Sequence, residues 1–271
     1  MVTLLTDFGL EDEYVGLVKG VILRVNPSAQ IVDLCHEVPP GDVSKANWLL
    51  RWSWGYSPGG TVHVVVVDPG VGSSRKILCL DHQGHRFLAP DNGVLSSVLA
   101  GISRPRLYAV ANRRYALKTI SHTFHGRDLF APAAGHLSRG LAPYRLGPRV
   151  TTFRRLALPA VKKNAHALEG RVIHLDRFGN AVTNLPAEEV KRLARRGPLR
   201  VLVKGIRPLK IQSSYSSVSQ GDPLALVGSR DLLEIAVSRG SAHRKLRLQV
   251  GDPILLVVQG SPPLVPSDET T

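Results

Sequence analysis

Apolar residues follow two alternating rhythms along the first half of the chain. Short unbroken runs have the length and β-branched content of buried strands: "VTLL" from residue 2, "QIVDL" from residue 30 and "TVHVVVV" from residue 61. Between them, "DEYVGLVKGVILRV" (12–25) and "VSKANWLLRWSW" (43–54) space their apolar positions as a helix does, and "NPSA" stops the first. Strand, helix, strand, helix, strand predicts a parallel sheet with helices on its faces. "RKILCLD" (75–81) and "HRFLAPDNG" (85–93) read as a further pair of strands, and "DLFAPAAGHLSRG" (128–140) as a helix with a glycine stop. The rhythm is lost in "RRLALPAVKKNAHALE" (154–169), which reads as a linker. Beyond it come short strands parted by turn residues: "GRVIHLD", "LRVLVKG", "PLALVG", "LLEIAV" and "PILLVV", with one helix at "PAEEVKRLARRG". This pattern suits a small sandwich or barrel. The expectation is an α/β protein: an N-terminal α/β domain with a central, mostly parallel sheet (1–155), a linker (156–169), a smaller C-terminal β-barrel-like domain (170–262) and a frayed tail (263–271).

Composition narrows the function classes. The 271 residues contain no apolar run near the ~18 needed to span a membrane. The opening "MVTLLTDFG" has no basic region followed by an apolar stretch, so no signal peptide is expected. Cys35 and Cys79 show no CxxC spacing, which argues against a disulfide scaffold or a zinc site and fits a reducing cytoplasm. The net charge of +14 invites a nucleic-acid reading, but it is unevenly placed. Residues 1–100 hold seven Lys/Arg against ten Asp/Glu, and residues 101–271 hold 28 against 11. The basic residues are scattered, and no nucleic-acid-binding motif accompanies them. Nucleic acid and membrane are therefore not expected as partners.

In open α/β sheets, ligands sit beyond the carboxyl ends of the strands. Three strands end there in polar groups: Asp7 in "TDFG", His36 in "CHEVPP" and Asp68 in "VDPGVGSSR". An acid in this place equally caps a turn or a helix. "VVVVDPGVGSSR" (64–75) is not a phosphate loop, because it lacks both the Lys-Ser/Thr of a Walker loop and the third glycine of a dinucleotide loop. Further polar clusters are "TFHGRDLF" (His125, Arg127, Asp128), "DRFGNAVTN" (Asp176, Asn180) and "GSRDLLEIAV" (Ser229, Arg230, Glu234). Taken singly, each has a structural reading: an ion pair, a helix cap or a tight turn.

Taken in order, "TDFGLEDEYVGLVKG", "VDLCHEVPPGDV", "GTVHVVVVDPGVGSSR", "APDNGVL", "TFHGRDLFAPAA", "DRFGNAVTN", "YSSVSQGD" and "GSRDLLEIAV" strongly resemble the S-adenosyl-L-methionine (SAM) hydrolase family. This family is also called SAM hydroxide adenosyltransferase and is related to fluorinase and chlorinase. The resemblance runs from residue 3 to about residue 240. It implies hydrolysis of SAM to adenosine and L-methionine, by attack of activated water on ribose C5′. It implies no cofactor and no metal, with SAM as the substrate. It also implies a homotrimer with active sites between subunits. Matched by motif, the catalytic set is Asp68, Arg75 and His125. The substrate-binding set is Asp7 for the ribose diol, Asn180 and the backbone near Val237 for adenine, Asp176 for the methionine ammonium, and Ser229 and Arg230 for its carboxylate. Tyr215 would pack on adenine or the sulfonium side, and Glu234 lies in the same motif. Two departures favour water over halide: Asp68 puts a carboxylate where a halide would sit, and Gly126 stands where the fluoride-using relative has a serine. A chlorinase-like halogenase, or a SAM- or adenosine-binding sensor without turnover, are the alternatives.

Overall fold

The computed structural model describes residues 1–260. Contacts divide the chain into two compact units, residues 1–158 and residues from 159 onward.

In the first unit, β1 (Val2–Thr6), β2 (Ile31–Cys35), β3 (Val62–Val66), β4 (Ile77–His82), β5 (His85–Pro90) and β6 (Arg106–Ala109) form one sheet in the order β2-β1-β3-β5-β4-β6. The four strands β2, β1, β3 and β5 run parallel, and β4 is antiparallel to both β5 and β6. β1 and β3 are buried along their whole length, as continuous apolar runs in a covered parallel sheet should be. Val64 and Val66 pack on one face with α1 (Tyr14–Val25) and α3 (Ala131–Ser138). Val65 and Val67 pack on the other with α2 (Val43–Ser53). α1 buries Val15, Val18 and Ile22, a stripe at helical spacing. α2 is started by Asp42, whose carboxylate accepts the Lys45 N–H at 2.8 Å. All of this matches the expected α/β layering. The short β6 escaped the pattern because four residues carry no usable period.

The expected helix at 128–140 begins earlier than its pattern suggests. Gly126–Phe130 form one π-helical turn that leads into α3. Such a turn breaks the 3.6-residue period, and it often marks a functional position.

The second unit adds β7 (Lys162–Lys163), β8 (Ala167–Leu175), β9 (Ala181–Pro186), β10 (Leu199–Leu202), β11 (Ile211–Gln212), β12 (Pro223–Val227), β13 (Leu232–Val237) and β14 (Pro253–Val258). Their order is β10-β14-β8-β9-β13-β12-β11, with β7 on β8, in a nearly closed, barrel-like sheet. α4 (Ala187–Ala194) lays Val190 and Leu193 into the core, and α5 (Ala242–Leu246) is a short turn capped by Ser241. The proposed linker needs correction. Lys162–Lys163 are a strand, and β8 already starts at Ala167, inside 156–169. Ala167 and Leu168 are buried and pair with Val257 and Leu256, so the segment gains a tertiary partner that its own sequence does not announce. The expected tail at 263–271 lies outside the described residues, as do the last two residues of the expected domain 170–262.

Candidate active site

β1 and β3 lie side by side and end at Asp7 and Asp68, which face one cleft of about 370 Å³. The 68–75 segment returns on itself through two turns, closed by Val71 N–H to Asp68 C=O (3.1 Å) and Ser73 N–H to Gly70 C=O (3.1 Å). Gly72 sits at φ +80°, and a Cβ there would fall 2.4 Å from the His122 carbonyl oxygen. This is a place where only glycine fits. Asn92 donates to the Val67 carbonyl at 2.9 Å and so fixes the strand end just before Asp68.

The reversal brings Arg75 back against Asp68. Arg75 Nε donates to Asp68 Oδ2 at 2.7 Å, and Arg75 Nη2 forms an ion pair with the same oxygen. Both side chains are nearly buried, at 4% exposed for Asp68 and 7% for Arg75. Arg75 Nη2 also contacts His125 Nδ1 at 2.9 Å. A guanidinium only donates, so Nδ1 accepts and the neutral imidazole carries its proton on Nε2. Burial, with the Arg75 charge next, holds the His125 pKa below its ordinary value, which keeps the ring neutral. Asp68 Oδ1 is buried and has no hydrogen-bond partner among the described residues. The three residues singled out in the sequence thus form one chain of contacts, with one carboxylate oxygen left to act.

Asp7 lies on the same cleft and accepts the Gly41 N–H at 2.8 Å through Oδ2. Burial raises its pKa, the Gly41 hydrogen bond opposes this, and the nearby Asp68 charge adds to the rise. His36 is not part of the cleft lining. It is buried, with Nδ1 2.8 Å from Thr6 Oγ1 and Nε2 3.0 Å from Asp33 Oδ1, and it ties β1 to the end of β2.

Phe8 and Phe124 line the cleft and pack edge to face at 5.7 Å, and Tyr14 meets Phe124 at 5.1 Å. Sequence reasoning passed over both phenylalanines. They flank Asp7 and His125 directly, and that adjacency was the available signal. A side chain on Gly126 would press on both rings, with its Cβ at 3.2 and 3.3 Å.

The second unit carries its own polar cluster. Asp176 Oδ1 accepts the backbone N–H groups of Phe178 (2.9 Å) and Asn180 (2.8 Å), and Oδ2 accepts from Asn180 Nδ2 (3.0 Å). Asp176 therefore both shapes the turn and orients the Asn180 amide. Gly179, at φ +83°, leaves room for Ser241. Tyr215 donates its hydroxyl to Glu234 Oε2 at 3.1 Å, and burial followed by the Glu234 charge pushes the phenol up to about 12. Burial likewise raises the Glu234 carboxyl, while Tyr215 and Arg230 lower it and Asp176 raises it. Asp176, Tyr215, Arg230 and Glu234 thus share one electrostatic neighbourhood. Ser229 is exposed, and the Val237 carbonyl accepts the Gly240 N–H at 3.0 Å. Among the described residues, no three His, Cys, Asp or Glu gather as a metal-ligand set.

Comparison with known proteins covers both units. The sequence model of the SAM hydroxide adenosyltransferase N-terminal domain matches residues 2–147, and that of its C-terminal domain matches residues 170–255. The chain belongs to the SAM hydroxide adenosyltransferase family. A family relative from Thermus thermophilus, named (R)-S-adenosyl-L-methionine hydrolase, is 39% identical over 93% of this chain and 98% of its own. A protein of the same name from Methanocaldococcus jannaschii is 30% identical over 95% of each chain. A fluorinase from Nocardia brasiliensis is more distant, at 24% identity over 93% of this chain and 94% of its own. In fold, a crystal structure of an uncharacterized conserved protein from Thermotoga maritima superposes with a TM-score of 0.88 at 39% identity, covering 95% of this chain and all of that one. The α/β architecture with its barrel-like second sheet is the architecture of this family.

Proposed function

We propose that the protein hydrolyses S-adenosyl-L-methionine to adenosine and L-methionine. The observation that carries this reading is the buried, unpartnered Oδ1 of Asp68, whose other oxygen pairs with Arg75 on the cleft. Water attacks ribose C5′, the new C–O bond forms as the C5′–S bond breaks, and the sulfonium leaves as neutral methionine sulfide. One proton of the water is released in the process. Asp68 Oδ1 is the acceptor for it. His125 Nδ1 is already committed to Arg75, so its Nε2 remains a donor that orients rather than a base. Holding the water at attack distance contributes several kcal/mol, roughly, and base assistance about 10²–10⁴-fold in rate. Asp7 accepts from the ribose hydroxyls. Asn180 and the backbone near Val237 meet adenine. Asp176 takes the methionine ammonium, Ser229 and Arg230 take its carboxylate, and Tyr215 packs on adenine or the sulfonium side. The sulfonium is itself a good leaving group, so the reaction calls for neither cofactor nor metal.

The chain works as a cytoplasmic homotrimer, for which light scattering should give three times the chain mass. A halide is disfavoured as nucleophile because Asp68 Oδ1 already places negative charge at the site, and Arg75 is spent on Asp68. The deciding experiment incubates the purified protein with each sulfonium epimer of SAM, with and without chloride, and resolves the products by chromatography. Equal adenosine and methionine, independent of chloride, support the reading. A chlorinated nucleoside, or binding without turnover, contradicts it. The relatives named for the (R) form make that epimer the first substrate to try.

A further inference from the structure

Asp128 is fully buried, at 0% exposure, one turn beyond His125, yet it does not reach the cleft. Its contacts run to the segment that delivers His125 and to Arg127. Its Oδ2 accepts the Ser121 N–H at 2.8 Å. Its main-chain carbonyl accepts the Leu117 N–H at 2.9 Å, and its own N–H donates to the Phe124 carbonyl at 3.2 Å. Ser121 in turn receives the Phe124 N–H on its hydroxyl at 2.9 Å. Arg127 closes the arrangement, with Nε donating to Asp128 Oδ1 at 2.6 Å while its guanidinium lies over the Phe124 ring at 5.2 Å. The π-helical turn at 126–130 places the Asp128 carbonyl at Leu117. The far side of the same segment is held by Gly72, which packs against the His122 carbonyl. Segment 117–125 is thus clamped between the Asp128 carboxylate and the reversal that carries Arg75.

We propose that Asp128 is a positioning residue: its buried carboxylate fixes segment 121–125 so that His125 presents Nδ1 to Arg75, and through Arg75 holds Asp68 in its working orientation. This rests on the hydrolase reading for its kinetic consequence but not for its structural one. A carboxylate is needed because, fully buried, it must serve two donors at once, a backbone N–H and a guanidinium. An amide of the same shape offers one good acceptor and sets an N–H₂ against the other donor.

The test is a pair of variants, Asp128→Asn and Asp128→Ala, checked for folding by circular dichroism and thermal unfolding. His125 is read by nitrogen-15 NMR for tautomer and titration. Four charged or titratable groups act on that ring: Arg75, Asp68, His122 and Asp128. Release of the segment moves His125 away from Arg75 and out of its burial, so the proposal expects a mixed tautomer and a pKa rising toward the ordinary value. Loss of the Asp128 charge at fixed geometry would move it the other way. Turnover should fall about 10–100-fold while the KM for SAM stays within about threefold, the pattern of a displaced group rather than a lost binding contact. Asp128→Asn, if it folds, should show the smaller loss. A single Nε2–H tautomer with an unchanged or lowered pKa in the folded Asp128→Asn protein overturns the proposal. If wild type does not turn over SAM, the hydrolase reading fails, and the NMR result still decides the role of Asp128.

Discussion

Asp68 and His125 touch the same arginine, and the proposed reaction asks different things of them. Asp68 has an oxygen to spare, and His125 does not. Asp68→Asn should therefore lower turnover about 10²–10⁴-fold, the range of a lost general base, with thermal unfolding near that of wild type. His125→Ala should cost less, because it loosens Arg75 without removing the acceptor. Equal losses in the two variants would contradict this division of labour. The pH dependence follows from the same contact. Protonated His125 cannot accept from Arg75, so activity needs the neutral ring. Its pKa is lowered from the ordinary 6.5, so the acid-side decline in turnover should have its midpoint below 6.5. An acid limb centred at or above 6.5 in a kcat profile would show that His125 is not held as described. That Asp68, Arg75 and His125 meet was legible in the sequence through motif order, and strand-end logic singled out Asp68 alone among the three. The choice of proton acceptor was not, since it turns on which ring nitrogen faces Arg75. The clamp at Asp128 was hidden for a related reason. Its partners at 117 and 121 lie in a segment with no period, and the acid reads equally well as a helix cap.

At the scale of elements, β3 carries a feature that apolar patterning alone treats as an interruption. His63 sits within "TVHVVVV", 0% exposed, between neighbours on both adjacent strands. Its Nδ1 lies 2.8 Å from Thr3 Oγ1 on β1, its Nε2 lies 3.2 Å from His85 Nδ1 on β5, and its ring stacks on Phe87 at 4.9 Å. Burial, with His85 second, lowers its pKa to about 3. The folded state therefore refuses a proton that the unfolded chain accepts below about 6.5. The contribution is complete above that value and is lost progressively down to about 3. Between pH 6.5 and pH 5, wild type should lose about 1.5 kcal/mol more unfolding free energy than His63→Gln. Parallel pH dependence of the two proteins in chemical denaturation would contradict the assignment. Strands and helices with a strong period were legible throughout the first unit. The first strand residues of the second unit were not, because "KK" (162–163) and "ALE" (167–169) become strands only through pairing with β14 and with each other.

For the whole molecule, the two units hold two kinds of chemistry. The first has a neutralised, buried carboxylate–guanidinium–imidazole chain at parallel strand ends. The second has a turn-bound carboxylate and amide beside a buried Glu234 that accepts from the exposed Tyr215 hydroxyl. The excess positive charge belongs to neither cluster, and no helix among the described residues is long and apolar enough to cross a membrane. The domain-scale reading was legible from the change of rhythm past residue 154, because alternating strand–helix units and short strands parted by turns are distinct sequence textures. The boundary itself, between residues 158 and 159, was less sharp, since a basic Pro/Ala-rich stretch gives no signal of where packing resumes.

The central claim is that water, directed by Asp68, attacks C5′ of the substrate. The most direct measurement is turnover of SAM in water enriched in heavy oxygen, with chloride present and products read by mass spectrometry. Adenosine should carry one heavy oxygen, at the 5′ position, and methionine none. Adenosine without the label, or a chlorinated nucleoside in its place, would contradict it.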